Sequence, residues 1–75
     1  MKRNEYQSVA HAMACINLRR EHAGLSSAEI ARRLDLSQPY VFNVLTGKQP
    51  CELRVAQRFA DVVGMKIRIV MEGKP

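Results

Sequence analysis

The sequence predicts a mainly α protein, a compact bundle of four helices containing a helix-turn-helix, with one β-strand near its C-terminal end. Three observations predict it. Apolar residues recur at helical spacing through most of the chain from Glu5 to Val63. Two of the helical stretches, between Gly24 and Gly47, are short and separated only by the turn-forming Asp35-Leu36. Beyond Gly64 the apolar period changes from helical to two.

Met1 to Arg3 is a short basic arm at the start of the chain. Asn4 and Gln7 offer a capping box, so helix 1 is expected from about Glu5 to His22, with Val9, Ala12, Met13 and Ile16 as its buried stripe. Ser26 with Glu29 offers a second capping box for helix 2, Ser27 to Leu34, whose inward residues are Ile30, Ala31 and Leu34. Ser37 caps helix 3, Gln38 to Thr46, and Pro39 sits in its first turn, where a missing N–H costs little. Val41, Val44 and Leu45 point it inward. Gly47 to Pro50 forms a loop. Helix 4 runs from about Glu52 to Val63, with Leu53, Ala56, Phe59, Ala60 and Val63 inward and Gly64 as its stop.

The segment 65–72 alternates, with Met65, Ile67, Ile69 and Met71 on one face, and reads as a strand. No other segment reads as one. A lone strand leaves backbone donors, acceptors and an apolar face unmatched. The simplest partner is the same strand of a second copy, and two-fold symmetry makes that pairing antiparallel. These four residues are therefore the expected dimerisation surface. The whole of 1–75 is read as a single domain: arm 1–3, bundle 4–63, strand 65–72 and tail 73–75.

The 75 residues carry 12 Lys and Arg against 7 Asp and Glu, a net charge of +5 that favours a polyanionic partner when it accompanies such a motif. Cys15 and Cys51 are too few for a disulfide framework and read as reduced thiols. His11 and Cys15 stand one helical turn apart, but no second pair follows at ligand spacing, so no metal and no cofactor is expected. There is no run of transmembrane length and no signal peptide, so the expected location is the cytoplasm, without a membrane partner. No nucleophile–base pair, phosphate-cradling glycine loop or spaced carboxylate pair argues for an enzyme.

Arg20, Gly24-Leu25-Ser26, Glu29-Ile30-Ala31, Leu34, Leu36-Ser37-Gln38, Val41, Gly47-Lys48 and Phe59-Ala60 followed by Gly64 form a pattern that resembles the lambda-repressor/Cro-like (Xre-type) helix-turn-helix family. The resemblance covers about residues 16–64. It implies a bundle of four or five helices, with helix 3 reading bases in a major groove and helix 2 lying over the DNA backbone. The chain departs from the family where Asp35 replaces the usual turn glycine. It departs again at Leu45, where many relatives carry an acid that pairs with the arginine matching Arg20. It also ends in a strand where a fifth helix is usual.

On helix 3 the side opposite Val41, Val44 and Leu45 carries Pro39 and Asn43, flanked by Gln38, Tyr40 and Phe42. These five are the expected base readers. No charge lies between Leu36 and Gly47, which suits reading by neutral groups: amides match the adenine edge, and rings lie against thymine methyls. Phosphate contacts are expected from the start of helix 2 at Ser27 and Ala28, from Ser37, and from Thr46 and Lys48 after helix 3. Arg19 and Arg20 are further candidates, with Arg32 and Arg33 beside them. Arg54 and Arg58 are expected to face solvent or a dimer partner. The reading that follows is a homodimeric transcriptional regulator, most simply a repressor, on an inverted-repeat operator in double-stranded DNA. The alternative is an antitoxin that binds a cognate toxin and its own promoter. A phage-type regulator, for example of an anti-CRISPR operon, is a third reading that gene neighbourhood would separate.

Overall fold

A computed structural model of the chain describes residues 5–70. Its elements are β1 (Glu5–Tyr6), α1 (Val9–Ala23), α2 (Ser27–Leu34), α3 (Gln38–Leu45), α4 (Leu53–Val62) and β2 (Arg68–Ile69). α2, α3 and α4 stand where the apolar periods place them, to within a residue at each end. Serines start three of the four helices: Ser8, Ser26 and Ser37 each accept the backbone N–H three residues on, from His11, Glu29 and Tyr40.

All four helices stop in the same way. A residue one or two positions past each end bonds back three residues and its successor bonds back five, as in Gly24 to Glu21 with Leu25 to Arg20, and in Gly47 to Val44 with Lys48 to Asn43. This closure places its first residue in the left-handed region. Glycine fills that position at 24, 47 and 64, and Asp35 fills it between α2 and α3 with φ 59°. The expected departure at the turn is thus accommodated, because a short polar side chain tolerates this region better than others do. Asp35→Val is expected to cost about 1–2 kcal/mol, since a β-branched side chain there meets the following carbonyl. Chemical denaturation measures it, and an unchanged midpoint would contradict this account of the turn.

The core gathers Ala12, Met13 and Ile16 of α1, Ile30, Ala31 and Leu34 of α2, Val41, Val44 and Leu45 of α3, and Ala56, Phe59 and Ala60 of α4. Phe59 is the largest fully buried side chain among them. Leu53, expected inward, is exposed; α4 turns Ala56, Phe59 and Ala60 to the core, and Val55 is half-buried instead.

The N-terminal end corrects the sequence reading. α1 begins at Val9, capped by Ser8, and not near Glu5. Asn4, the expected cap, lies outside the described residues. Glu5 and Tyr6 form β1, which pairs in parallel with β2 in the register Glu5–Arg68 and Tyr6–Ile69, with the Val70 N–H donating to the Tyr6 carbonyl at 2.8 Å. Tyr6 is buried, its ring edge-on to His11 at 5.2 Å between centroids. Burial pushes its hydroxyl pKa up, and the neighbouring Cys15 adds to the shift.

β2 is therefore not a lone strand. Its apolar face is also taken up within the chain: Ile67 is buried in the core, and Met65 and Ile69 pack against it. Met71 lies outside the described residues. The surface expected to bind a second copy through Met65, Ile67 and Ile69 is in this respect an intramolecular one.

Candidate nucleic-acid interface

α2 and α3 meet across the Asp35 turn and form a helix-turn-helix. Burying Val41, Val44 and Leu45 fixes the rotation of α3 about its axis, and the rest of the helix turns outward. Gln38 and Pro39 are exposed in its first turn. Phe42 is 46% exposed, a large ring left in water one turn later. Tyr40 and Asn43 are half-buried on the flanks, with Tyr40 packed against the core. The five expected base readers therefore differ in access: Gln38, Pro39 and Phe42 stand clear, while Tyr40 also closes the edge of the core.

Just beyond α3, the Lys48 ammonium lies 5.3 Å from the centre of the Phe42 ring. A cation at this distance is attracted by the ring face. The contact joins a candidate base reader to a candidate phosphate binder across the C-terminal turn of α3. Its sequence trace is an aromatic residue six positions before the lysine, with a helix-ending glycine between them. The Thr46 hydroxyl, also expected on phosphate, donates to the Phe42 carbonyl at 2.7 Å. Ser37 spends an acceptor position on the Tyr40 N–H and keeps its hydroxyl proton to donate.

At the start of α2, the Ser26 hydroxyl accepts the Glu29 N–H at 3.0 Å. The Ser27 and Ala28 N–H groups precede the first helical bond, Ile30 N–H to Ser26 carbonyl, and remain for an anion. The second half of the expected capping box is spent elsewhere. The Glu29 carboxylate accepts from both Arg32 and Arg33, at 2.8 Å from the Arg33 Nε, and these bonds lower its pKa to about 2. Those two arginines are thereby partnered within α2. A lowered carboxylate pKa gives stability that is present above the ordinary value of 4.5 and is lost as pH falls through about 2. Glu29→Gln is expected to lower the melting temperature slightly at neutral pH, the pair being exposed, and not at all below pH 2. A difference that persists at the lowest pH would show that the ion pairs are not its cause.

Arg20 has a structural task. Its guanidinium donates to the Leu25 carbonyl at 2.8 Å and to the Asn17 Oδ1 at 2.9 Å, and it lies 3.5 Å from Glu21. It thereby holds the α1–α2 loop, and Leu45 is buried in the core. Arg58, expected to face solvent or a partner, donates to the Leu34 carbonyl at 2.9 Å and ties α4 to the end of α2. Arg19 remains exposed on α1.

Lys48→Ala is expected to weaken binding to all duplexes alike and to reduce the salt slope by about one unit per subunit, because an ammonium on a phosphate releases about one counterion. Titrations at several salt concentrations measure it. A changed base preference at an unchanged slope would place Lys48 on a base edge instead.

Among the described residues no helix is long and apolar enough to cross a membrane. Two packed helices, a capped turn and an outward uncharged recognition face define a DNA-binding domain of the helix-turn-helix class. The helix-turn-helix domain family matches residues 14–67, and the chain belongs to it. This fits the resemblance to the lambda-repressor/Cro-like kind. No curated relative and no solved structure matches the chain.

Proposed function

We propose that the protein is a sequence-specific transcriptional repressor acting as a homodimer, with α3 of each protomer in a major groove of an inverted-repeat operator. The observation that carries this reading is the outward side of α3: Gln38, Pro39 and Phe42 exposed, no formal charge along the helix, and a cation at its end. Neutral amides and rings discriminate base edges, whereas a charged face would add mainly non-specific affinity. A domain of this kind represses by occupying a promoter and blocking polymerase. Phosphates are held by Lys48 and Ser37, and by the free N–H groups of Ser27 and Ala28.

Selection from random duplexes tests this reading. The expected winners are inverted repeats with half-site centres about 34 Å apart, one turn of DNA, or slightly more. Enrichment of no sequence, with binding governed by salt alone, would refute specific recognition.

One observation favours the antitoxin as a second reading. An apolar groove of about 590 Å³ runs between α1 and the end of α3, lined by Ala10, Met13, Leu18, Leu45, Pro50 and Cys51. Leu18 beside it is 57% exposed. Such a surface is available to a protein partner. Co-expression with the product of an adjacent small reading frame tests it, a stable complex lost on Leu18→Glu being the result expected of an antitoxin.

A further inference from the structure

Lys48 is the first charged residue after the uncharged stretch 36–47, and the way α3 ends decides where it points. Gly47 takes φ 83°, so the chain folds back, and the Lys48 and Gln49 N–H groups both donate to the Asn43 carbonyl, at 2.9 and 3.2 Å. The lysine side chain thus starts beside the last turn of α3, and its ammonium comes to rest 5.3 Å from the centre of the Phe42 ring. Among the described residues no carboxylate pairs with it. The ring itself is 46% exposed and has no place in the core cluster. The turn that carries it is closed by backbone: the Thr46 N–H and hydroxyl both donate to the Phe42 carbonyl, at 3.0 and 2.7 Å. Phe42 is therefore spared from packing, and the ammonium is the group its ring meets.

We propose that Phe42 is a positioning residue for Lys48: its ring holds the ammonium at the end of α3, ready for the DNA phosphate beside the groove. The inference rests on the DNA-binding reading above and deepens it. A free lysine side chain samples many rotamers, and a phosphate that fixes it takes that freedom away. An ammonium already resting on a ring has given up part of the freedom before DNA arrives, so less is lost on binding. The gain is bounded by the strength of the contact itself, which at an exposed site corresponds to about a two- to fivefold change in affinity per subunit. The phosphate joins the contact and does not displace it, because the ammonium carries three N–H donors and the ring engages only one side of it. The second face of the ring stays open to a base, so positioning and reading are separate contributions of one residue.

A double-mutant cycle tests this, read by fluorescence anisotropy on an unrelated duplex, where base preference plays no part, with circular dichroism confirming that each variant is folded. Phe42→Leu is expected to weaken binding about two- to fivefold per subunit, with the salt slope unchanged because the lysine still reaches its phosphate in the complex. In a Lys48→Ala background the same substitution is expected to change nothing. Phe42→Tyr keeps the ring face and is expected to restore the affinity. In the free protein, nuclear magnetic resonance should find the Lys48 ε-methylene protons shifted upfield by the ring, and the shift gone in Phe42→Leu. A weakening that persists in Lys48→Ala places Phe42 on the DNA directly, and tighter binding by Phe42→Leu shows a ring that withholds the ammonium. Either overturns the positioning role, as does an affinity indifferent to Phe42→Leu or an unshifted Lys48. Duplex selection judges the repressor reading separately: coupling between Phe42 and Lys48 in a protein that selects no sequence refutes that reading and leaves the positioning role in place.

Discussion

Phe59→Ala is expected to cost about 3–5 kcal/mol, the largest loss from any single truncation among the described residues. Phe59 is fully buried on α4, in the cluster where side chains of α1, α2 and α3 converge. Removing its ring takes away the transfer energy and leaves a cavity that four helices on short connections can close only in part. At roughly 0.05–0.15 kcal/mol per residue, a chain of 75 residues has about 4–11 kcal/mol in total. The variant therefore stands near the threshold of folding, and DNA binding is lost along with the fold. Urea denaturation followed by circular dichroism measures the effect. A loss below about 1 kcal/mol would show that Phe59 is not the centre of the core.

The second large effect falls on recognition and leaves the fold intact. Gln38→Ala and Asn43→Ala are each expected to remove about 1–3 kcal/mol of discrimination at one symmetric pair of operator positions. Gln38 is exposed in the first turn of α3, and Asn43 is half-buried on its flank. Neither side chain carries charge, so affinity for unrelated duplexes should hardly change. Binding of each variant to operators substituted one base pair at a time separates the two terms. If both variants keep the wild-type preference at every position, readout passes to Pro39, Tyr40 and Phe42, or to DNA shape. The structure ranks the two: Gln38 has the freer approach, so its loss is expected to be the greater.

Most of the scaffold for this site was legible in the sequence because it is encoded locally. Ser26 and Ser37 cap helices through an N–H three residues away, and Gly24, Gly47 and Gly64 stop them through bonds spanning at most five. The apolar periods of α2 and α3 fix which side of each is buried, and so the outward placement of Gln38, Pro39 and Phe42 follows from spacing alone. Asp35 was legible as a turn residue, and it takes the left-handed conformation the turn demands.

What misled the reading was competition between local signals and distant partners. Asn4 and Gln7 carry a capping pattern as good as that of Ser26 and Glu29, yet Glu5 and Tyr6 extend into a strand. Their backbone pairs with residues more than sixty positions away, and Tyr6 gains burial by it. Glu29 fulfils only half of its capping box: its backbone N–H bonds Ser26, while its carboxylate turns along the helix to two arginines.

The sequence by itself determined the four helices, the caps of α2 and α3, the helix-turn-helix and the uncharged outer side of α3, since each depends on residues within about two turns of one another. Only the tertiary structure decided what the long-range groups do. Arg20 holds the Leu25 carbonyl, Arg58 holds the Leu34 carbonyl, Lys48 lies over Phe42, and β2 finds β1 before any second copy. The physical reason is the same for all four. A guanidinium, an ammonium or a strand edge can satisfy many partners, and which one it meets is set by how the packed helices bring distant backbone and side chains together.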